Sequence, residues 1–180
     1  HEVHVAYQTS GNIAVFDDEV IRFLDFATDV QENNTLLEKQ FKEVKEFLSN
    51  KAPGEIDSPV IQKLKGLIRK GEALAACRYC GVQENRAHFQ NLPFYETGTV
   101  KKNPFSEVDI DLTYQLLNNI KPQQIFAAGD LSDPHGTHRV CLDIIFKTLE
   151  RLVADKVTWV KDCYVWLYRG AWQEWDIADM

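Results

Sequence analysis

Long apolar runs are missing from this chain. No stretch approaches the roughly 18–20 residues that a membrane helix requires, which excludes a helical membrane span. Clusters of basic residues are missing too. Lys and Arg number 20 against 27 Asp and Glu, for a net charge of -7. A general binder of phosphate backbones needs clustered positive charge, so no nucleic-acid partner is expected. Cysteine is scarce, at 4 in 180 residues, too sparse for a disulfide scaffold. Cys77 and Cys80 have C-x-x-C spacing, but they fall near the end of an expected helix and have no partner pair. They read as packing thiols rather than a redox or zinc site. No secretory segment opens the chain, which points to a reducing cytoplasm. No initiator methionine opens it either. The chain starts His1-Glu2-Val3-His4, directly on a strand, and residue 1 is read as a cut boundary. No G-x-G-x-x-G or Walker string follows any strand, which argues against a nucleotide-binding domain.

What is present is ordinary for a soluble globular protein: 44% hydrophobic and 26% charged residues. The length suits one domain, residues 1–180, with a sizeable core. Strands and helices alternate along it. A strand at residues 2–7 ends in the turn Thr9-Ser10-Gly11-Asn12. Asp17-Asp18-Glu19 opens a helix with Val20, Phe23, Leu24 and Ala27 on one stripe, acids being favoured in a first turn. A second helix carries Leu36, Leu37, Phe41, Val44, Phe47 and Leu48 opposite a mixed-charge solvated face. After a linker with the turn Pro53-Gly54, Ser58-Pro59 starts a third helix that ends before Gly81. Residues 87–92 read as a strand. Residues 93–105 form a loop long enough to suggest function. Ser106 caps the next helix. Residues 124–128 read as a buried strand, 136–154 as a helix, and 157–160 and 163–168 as closing strands whose aromatics pack into the core. The tail, residues 170–180, is acidic and aromatic. Its Trp172 and Trp175 are a candidate docking surface for a further domain or a second chain.

This alternation implies an α/β fold, a three-layer Rossmann-like sandwich with a mainly parallel sheet. Ligands bind such sheets in the loops at the carboxyl ends of strands. Residues 8–17 and 129–137 occupy those places. The second loop reads Gly129-Asp130-Leu131-Ser132-Asp133-Pro134-His135-Gly136-Thr137-His138-Arg139. It gathers two imidazoles and two carboxylates within residues 130 to 138. Histidines spaced i, i+3 can face one side of a first helical turn. Neutral imidazole is a good ligand for zinc, and Asp130 or Asp133 could hold the second ring nitrogen and set the tautomer. A simpler reading is that Ser132, Asp133 or Thr137 merely caps the helix, but caps need no histidines. A catalytic zinc needs about three protein ligands, and this loop supplies one or two. Glu96, in the long loop, could reach a ligand hydroxyl.

The string His135-Gly136-Thr137-His138-Arg139 after a buried strand resembles the second motif of the LmbE/PIG-L family, zinc-dependent N-deacetylases of N-acetylglucosamine conjugates. Arg69-Lys70-Gly71-Glu72 with the small residues before Gly81-Val82, and Val3-His4-Val5-Ala6 with Thr9-Ser10-Gly11-Asn12, extend the resemblance over most of the chain. It is most similar to the LmbE-like domain that follows a glucosamine-6-phosphate deaminase domain in certain bacterial proteins. The resemblance implies His138 as a zinc ligand and His135 as the catalytic imidazole. It implies Arg69 as a contact for the sugar or its phosphate. The family's first motif, His-Pro-Asp-Asp, would supply the other ligands and the base. It is absent, and its expected place precedes residue 1, so an N-terminal strand is expected to be missing. Gly136-Thr137 also replaces the usual Pro-Asp. The implied function is metal-dependent amide hydrolysis of an amino sugar or amino-sugar phosphate. The alternative is a non-catalytic amino-sugar-phosphate-binding or regulatory module beside a deaminase. A sheet that lacks its first strand presents an open edge, so homo-oligomerisation or contact with an upstream domain is expected.

Overall fold

A computed structural model describes residues 2–30, 35–130 and 133–170. His1, Leu131, Ser132 and the tail with Trp172 and Trp175 lie outside the described residues. The chain divides into two compact units, His1–Phe89 and Gln90–Met180, and each holds a two-stranded parallel sheet. Among the described residues no helix is long and apolar enough to cross a membrane.

In the first unit, β1 (Val5–Tyr7) pairs in parallel with β2 (Ala87–Phe89) in the register Val5↔Ala87, Ala6↔His88, Tyr7↔Phe89. Between them lie α1 (Asp17–Val30), α2 (Thr35–Asn50) and α3 (Pro59–Tyr79). Parallel strands require such a crossover. Ser58 caps α3 by accepting the Ile61 N–H at 3.4 Å, with Pro59 in the first turn. Gly81, at φ +74, lets its own N–H reach the Arg78 carbonyl as α3 ends. The core is Val15, Val20, Leu24, Leu48 and Ile61, with Phe41, Val44 and Phe47 of α2 packed on it. Phe23 and Leu36 depart from the expected stripes and are exposed. Beneath this core, Lys65 is buried and bridges Asp17 at 2.6 Å and Asp57 at 2.7 Å, while Lys51 contacts the same two carboxylates. Two cations and two anions thus tie the start of α1, the linker and α3 together. Burial alone would raise the Asp17 carboxyl, but bonds from Lys65 and Lys51 outweigh it and hold the group below its usual range.

In the second unit, α4 (Glu107–Ile120) precedes β3 (Gln124–Ala128), α5 (Thr137–Ala154) and β4 (Tyr164–Tyr168). β3 and β4 are parallel, from Gln124↔Tyr164 to Ala128↔Tyr168, so β3, α5 and β4 make one βαβ unit. Ser106 and Asp109 form a reciprocal capping box at the start of α4. Ile110 of α4 and Leu142, Ile144 and Leu152 of α5 are buried, and the two helices are in contact.

Two expectations change here. Residues 157–160 are not a strand: Thr158–Asp162 is a 3₁₀ turn. The Trp159 indole N–H donates to Asn118 Oδ1 of α4 at 3.1 Å. The strand aromatics are not core residues either. Phe126, Tyr164, Trp166 and Tyr168 are all at least half exposed, and they share one face of a sheet only two strands wide.

Candidate functional site

The loop between β3 and α5 starts at the carboxyl end of a parallel strand, where such folds place ligands. The ladder continues one step past β3, with the Gly129 N–H donating to the Tyr168 carbonyl at 2.9 Å. Asp130 follows, with its side chain fully buried. Its Oδ2 lies 2.7 Å from His138 Nδ1, and its Oδ1 accepts the Gly170 N–H at 2.7 Å. Both carboxylate oxygens are therefore engaged. The bond to Oδ2 places the ring proton on Nδ1 and leaves the Nε2 lone pair pointing away from the carboxylate.

Asp133 plays a different part. It is buried, its Oδ1 accepts the His135 N–H at 3.0 Å, and its Oδ2 accepts the His138 N–H at 2.8 Å. It thus serves an N–H of the first turn of α5 and one of the approach to it, which the αL Gly136 at the N-cap, having no side chain, cannot do. Burial pushes the Asp133 carboxyl up, yet bonding from the His138 and His135 amides prevails and holds it below its usual range.

The two carboxylates expected behind the histidines therefore divide the work, Asp130 orienting a ring and Asp133 capping a helix. The two histidines do not share a helical turn as their spacing suggested. α5 begins at Thr137, so His138 is helical while His135 precedes the helix in a turn, half exposed, with Nδ1 3.6 Å from Asp133 Oδ1. The left-handed Gly136, at φ +70, separates them.

Glu96 lies in the same unit, within a loop closed at its foot by the Asn103 N–H donating to the Phe94 carbonyl at 3.1 Å. Phe94 is buried, and its N–H donates to Asp109 Oδ1 at 3.0 Å. Inside the loop Lys102 Nζ sits 3.6 Å from the Tyr95 ring centre and donates to the Thr99 carbonyl at 2.8 Å. Burial pulls the Lys102 ammonium below its usual value, and the Glu96 charge opposes this. Asp109 and Asp133 both act on the Cys141 thiol. Burial, then those two charges, push it up to about 12. Arg69 belongs to the first unit. It is half exposed on α3, paired with Glu72 at 2.5 Å, and its side chain lies against Gly11. Of the C-x-x-C pair, Cys77 is buried and Cys80 exposed.

Sequence reasoning missed Asp109 and Gly170. The Ser106-x-x-Asp109 spacing is a capping signature that points to Asp109. No local signal points to Gly170, which is 40 residues from its partner.

For a metal, His138 fits one ligand position: an imidazole backed by a buried carboxylate at Nδ1, with Nε2 available. Asp130 and Asp133 have both oxygens committed elsewhere. Among the described residues no group of three or more His, Cys, Asp or Glu gathers to hold an ion. The fit is thus to one ligand of a site and not to a complete site.

No family model matches the chain, and no solved structure matches it. A curated protein of Bacteroides thetaiotaomicron, named as a glucosamine-6-phosphate deaminase-like protein, is 50% identical over 185 residues, which takes in 100% of this chain. The chain spans 28% of the length of that relative.

Proposed function

We propose that this chain is a metal-dependent amide-hydrolase domain of the LmbE/PIG-L type, acting on the N-acetyl group of an amino sugar or amino-sugar phosphate within a larger glucosamine-6-phosphate deaminase-like protein. The observation that carries this reading is His138. Its ring is fixed by a buried carboxylate at 2.7 Å, at the carboxyl end of β3, which leaves Nε2 on the ring edge away from that carboxylate. The relative's name supports the substrate class, since it places amino-sugar phosphate chemistry in a protein that shares half of these residues.

His138 Nε2 would hold zinc as one ligand of the site. Zinc bound there would polarise the acetyl carbonyl as a Lewis acid and lower the pKa of a water to about 7. His135, half exposed in the adjoining turn, would donate a hydrogen bond to the developing oxyanion and then a proton to the departing amine. Asp130 holds the tautomer of His138, and Asp133 holds the backbone on which both histidines sit. Glu96 accepts a hydrogen bond from a sugar hydroxyl.

A second reading is a module that binds an amino-sugar phosphate without hydrolysing it. The absence of a three-donor group among the described residues favours it. The test is acetate release from N-acetylglucosamine 6-phosphate by the zinc-supplemented full-length protein that carries this chain. Release that falls at least about 100-fold in His135→Ala, and is lost in His138→Ala, supports the hydrolase. Release that survives both substitutions overturns it. Binding of the sugar phosphate without any release selects the module.

A further inference from the structure

The structure assigns Gly170, the second residue after β4, as the positioning residue that holds the Asp130–His138 pair in register. The functional consequence rests on the reading of His138 above, while the geometry stands apart from it. Three observations converge. The Gly170 amide donates to Asp130 Oδ1 at 2.7 Å, the oxygen that His138 does not use. Asp130 is wholly buried, so this amide takes the place of solvent at that oxygen. A Cβ at residue 170 would lie 2.9 Å from Asp130 Cγ, 3.0 Å from Oδ1 and closer still to Oδ2. Such an approach is tighter than real side chains tolerate, and the atoms it meets belong to the short, fixed carboxylate.

The requirement at this position is therefore steric, and no left-handed backbone is involved. Gly170 is not among the positive-φ glycines. A side chain there would rotate or push out the Asp130 carboxylate, the oxygen facing His138 first. His138 Nδ1 would then lose its acceptor, and the ring would be free to carry its proton on Nε2. That is the nitrogen whose lone pair a ligand needs. A residue 32 positions beyond His138, just past the end of β4, thereby decides which nitrogen of that imidazole carries the proton.

The test is the tautomer of His138, read by long-range ¹H–¹⁵N correlation NMR at a pH where the ring is neutral, in the full-length protein. The expected result is an Nδ1–H tautomer in the native protein and a shift toward Nε2–H in Gly170→Ala, with zinc affinity falling about 10–100-fold. Gly71→Ala is the control, because a Cβ there meets nothing within 4 Å, and it leaves the tautomer unchanged. A general loss of stability does not by itself move the proton between ring nitrogens. Should Gly170→Ala fail to fold, the pair Asp130→Ala and Asp130→Ala/Gly170→Ala decides instead. With the carboxylate gone the added Cβ has room, so the double variant folds and matches the single Asp130→Ala variant. An unchanged Nδ1–H tautomer in Gly170→Ala overturns the assignment, as does a double variant markedly worse than Asp130→Ala. A tautomer that shifts in a protein that neither binds zinc nor releases acetate would leave Gly170 as a positioning residue and defeat only the hydrolase reading.

Discussion

Replacing Asp133 by Ala removes two bonds from backbone amides, those of His135 at 3.0 Å and His138 at 2.8 Å. A hydrogen bond to a charged group contributes about 1.5–3 kcal/mol, and losing a helix N-cap about 0.5–2 kcal/mol. These overlap, because the His138 amide appears in both. The buried carboxylate also carries a desolvation cost that Ala would relieve. The folded-state carboxyl lies below its usual range despite burial, so the bonds win that contest and the net contribution is stabilising. We expect Asp133→Ala to cost about 2–3 kcal/mol. Asp133→Asn should cost nearly as much, because its NH₂ would face an amide donor. All four tryptophans lie at positions 159–175, inside the Gln90–Met180 unit. Urea unfolding followed by tryptophan fluorescence therefore reads this unit alone. The pH dependence follows from the same shift. A depressed folded-state pKa gives stability that is complete above the unfolded value of about 3.9. That stability is lost as pH falls through the folded value, so the gap between wild type and Asp133→Asn should close below about pH 4. A cost within about 0.5 kcal/mol, the range of neutral surface changes, or a gap that persists at low pH, would refute the reasoning.

Lys65→Met should destabilise the first unit by about 3 kcal/mol, because it leaves Asp17 and Asp57 sharing only Lys51; far-UV circular dichroism melts of the variant check this, and an unchanged melt contradicts it. The same network predicts pH limits for that unit. The depressed Asp17 carboxyl loses its contribution as pH falls below about 3.9, and the raised Lys51 ammonium loses its own as pH rises above about 10.4. Cys141, with its thiol near 12, has a thiolate fraction of about 10⁻⁴ at pH 8. Brief alkylation read by mass spectrometry should therefore label the exposed Cys80 and spare Cys141; equal labelling would contradict the burial described.

Local chemistry was legible wherever a single residue decides the backbone. Ser58-Pro59, Gly81 and Ser106 each end or begin the helix that their type demands. The histidine loop was legible because polar, imidazole-bearing sequence followed an apolar strand. Its inner division of labour was not, since Asp130 and Asp133 are equivalent by composition. They differ only because one reaches a ring nitrogen and the other two amides. Residues 157–160 alternate like a strand, yet Thr158–Asp162 is a 3₁₀ turn, from which the Trp159 indole bonds to Asn118 of α4. Phe126 and Trp166 have strand-core character but lie exposed, because apolar periodicity reports a face and not what covers it. Gly170 was invisible for the opposite reason: its role comes wholly from a carboxylate 40 residues away.

The central claim is that His138, backed by Asp130, is a metal ligand. Calorimetric titration of zinc into the full-length protein tests it most directly. Zinc should bind with micromolar or tighter affinity that is lost in His138→Ala and weakened about 10–100-fold in Asp130→Ala. Binding in His138→Ala indistinguishable from wild type would contradict it.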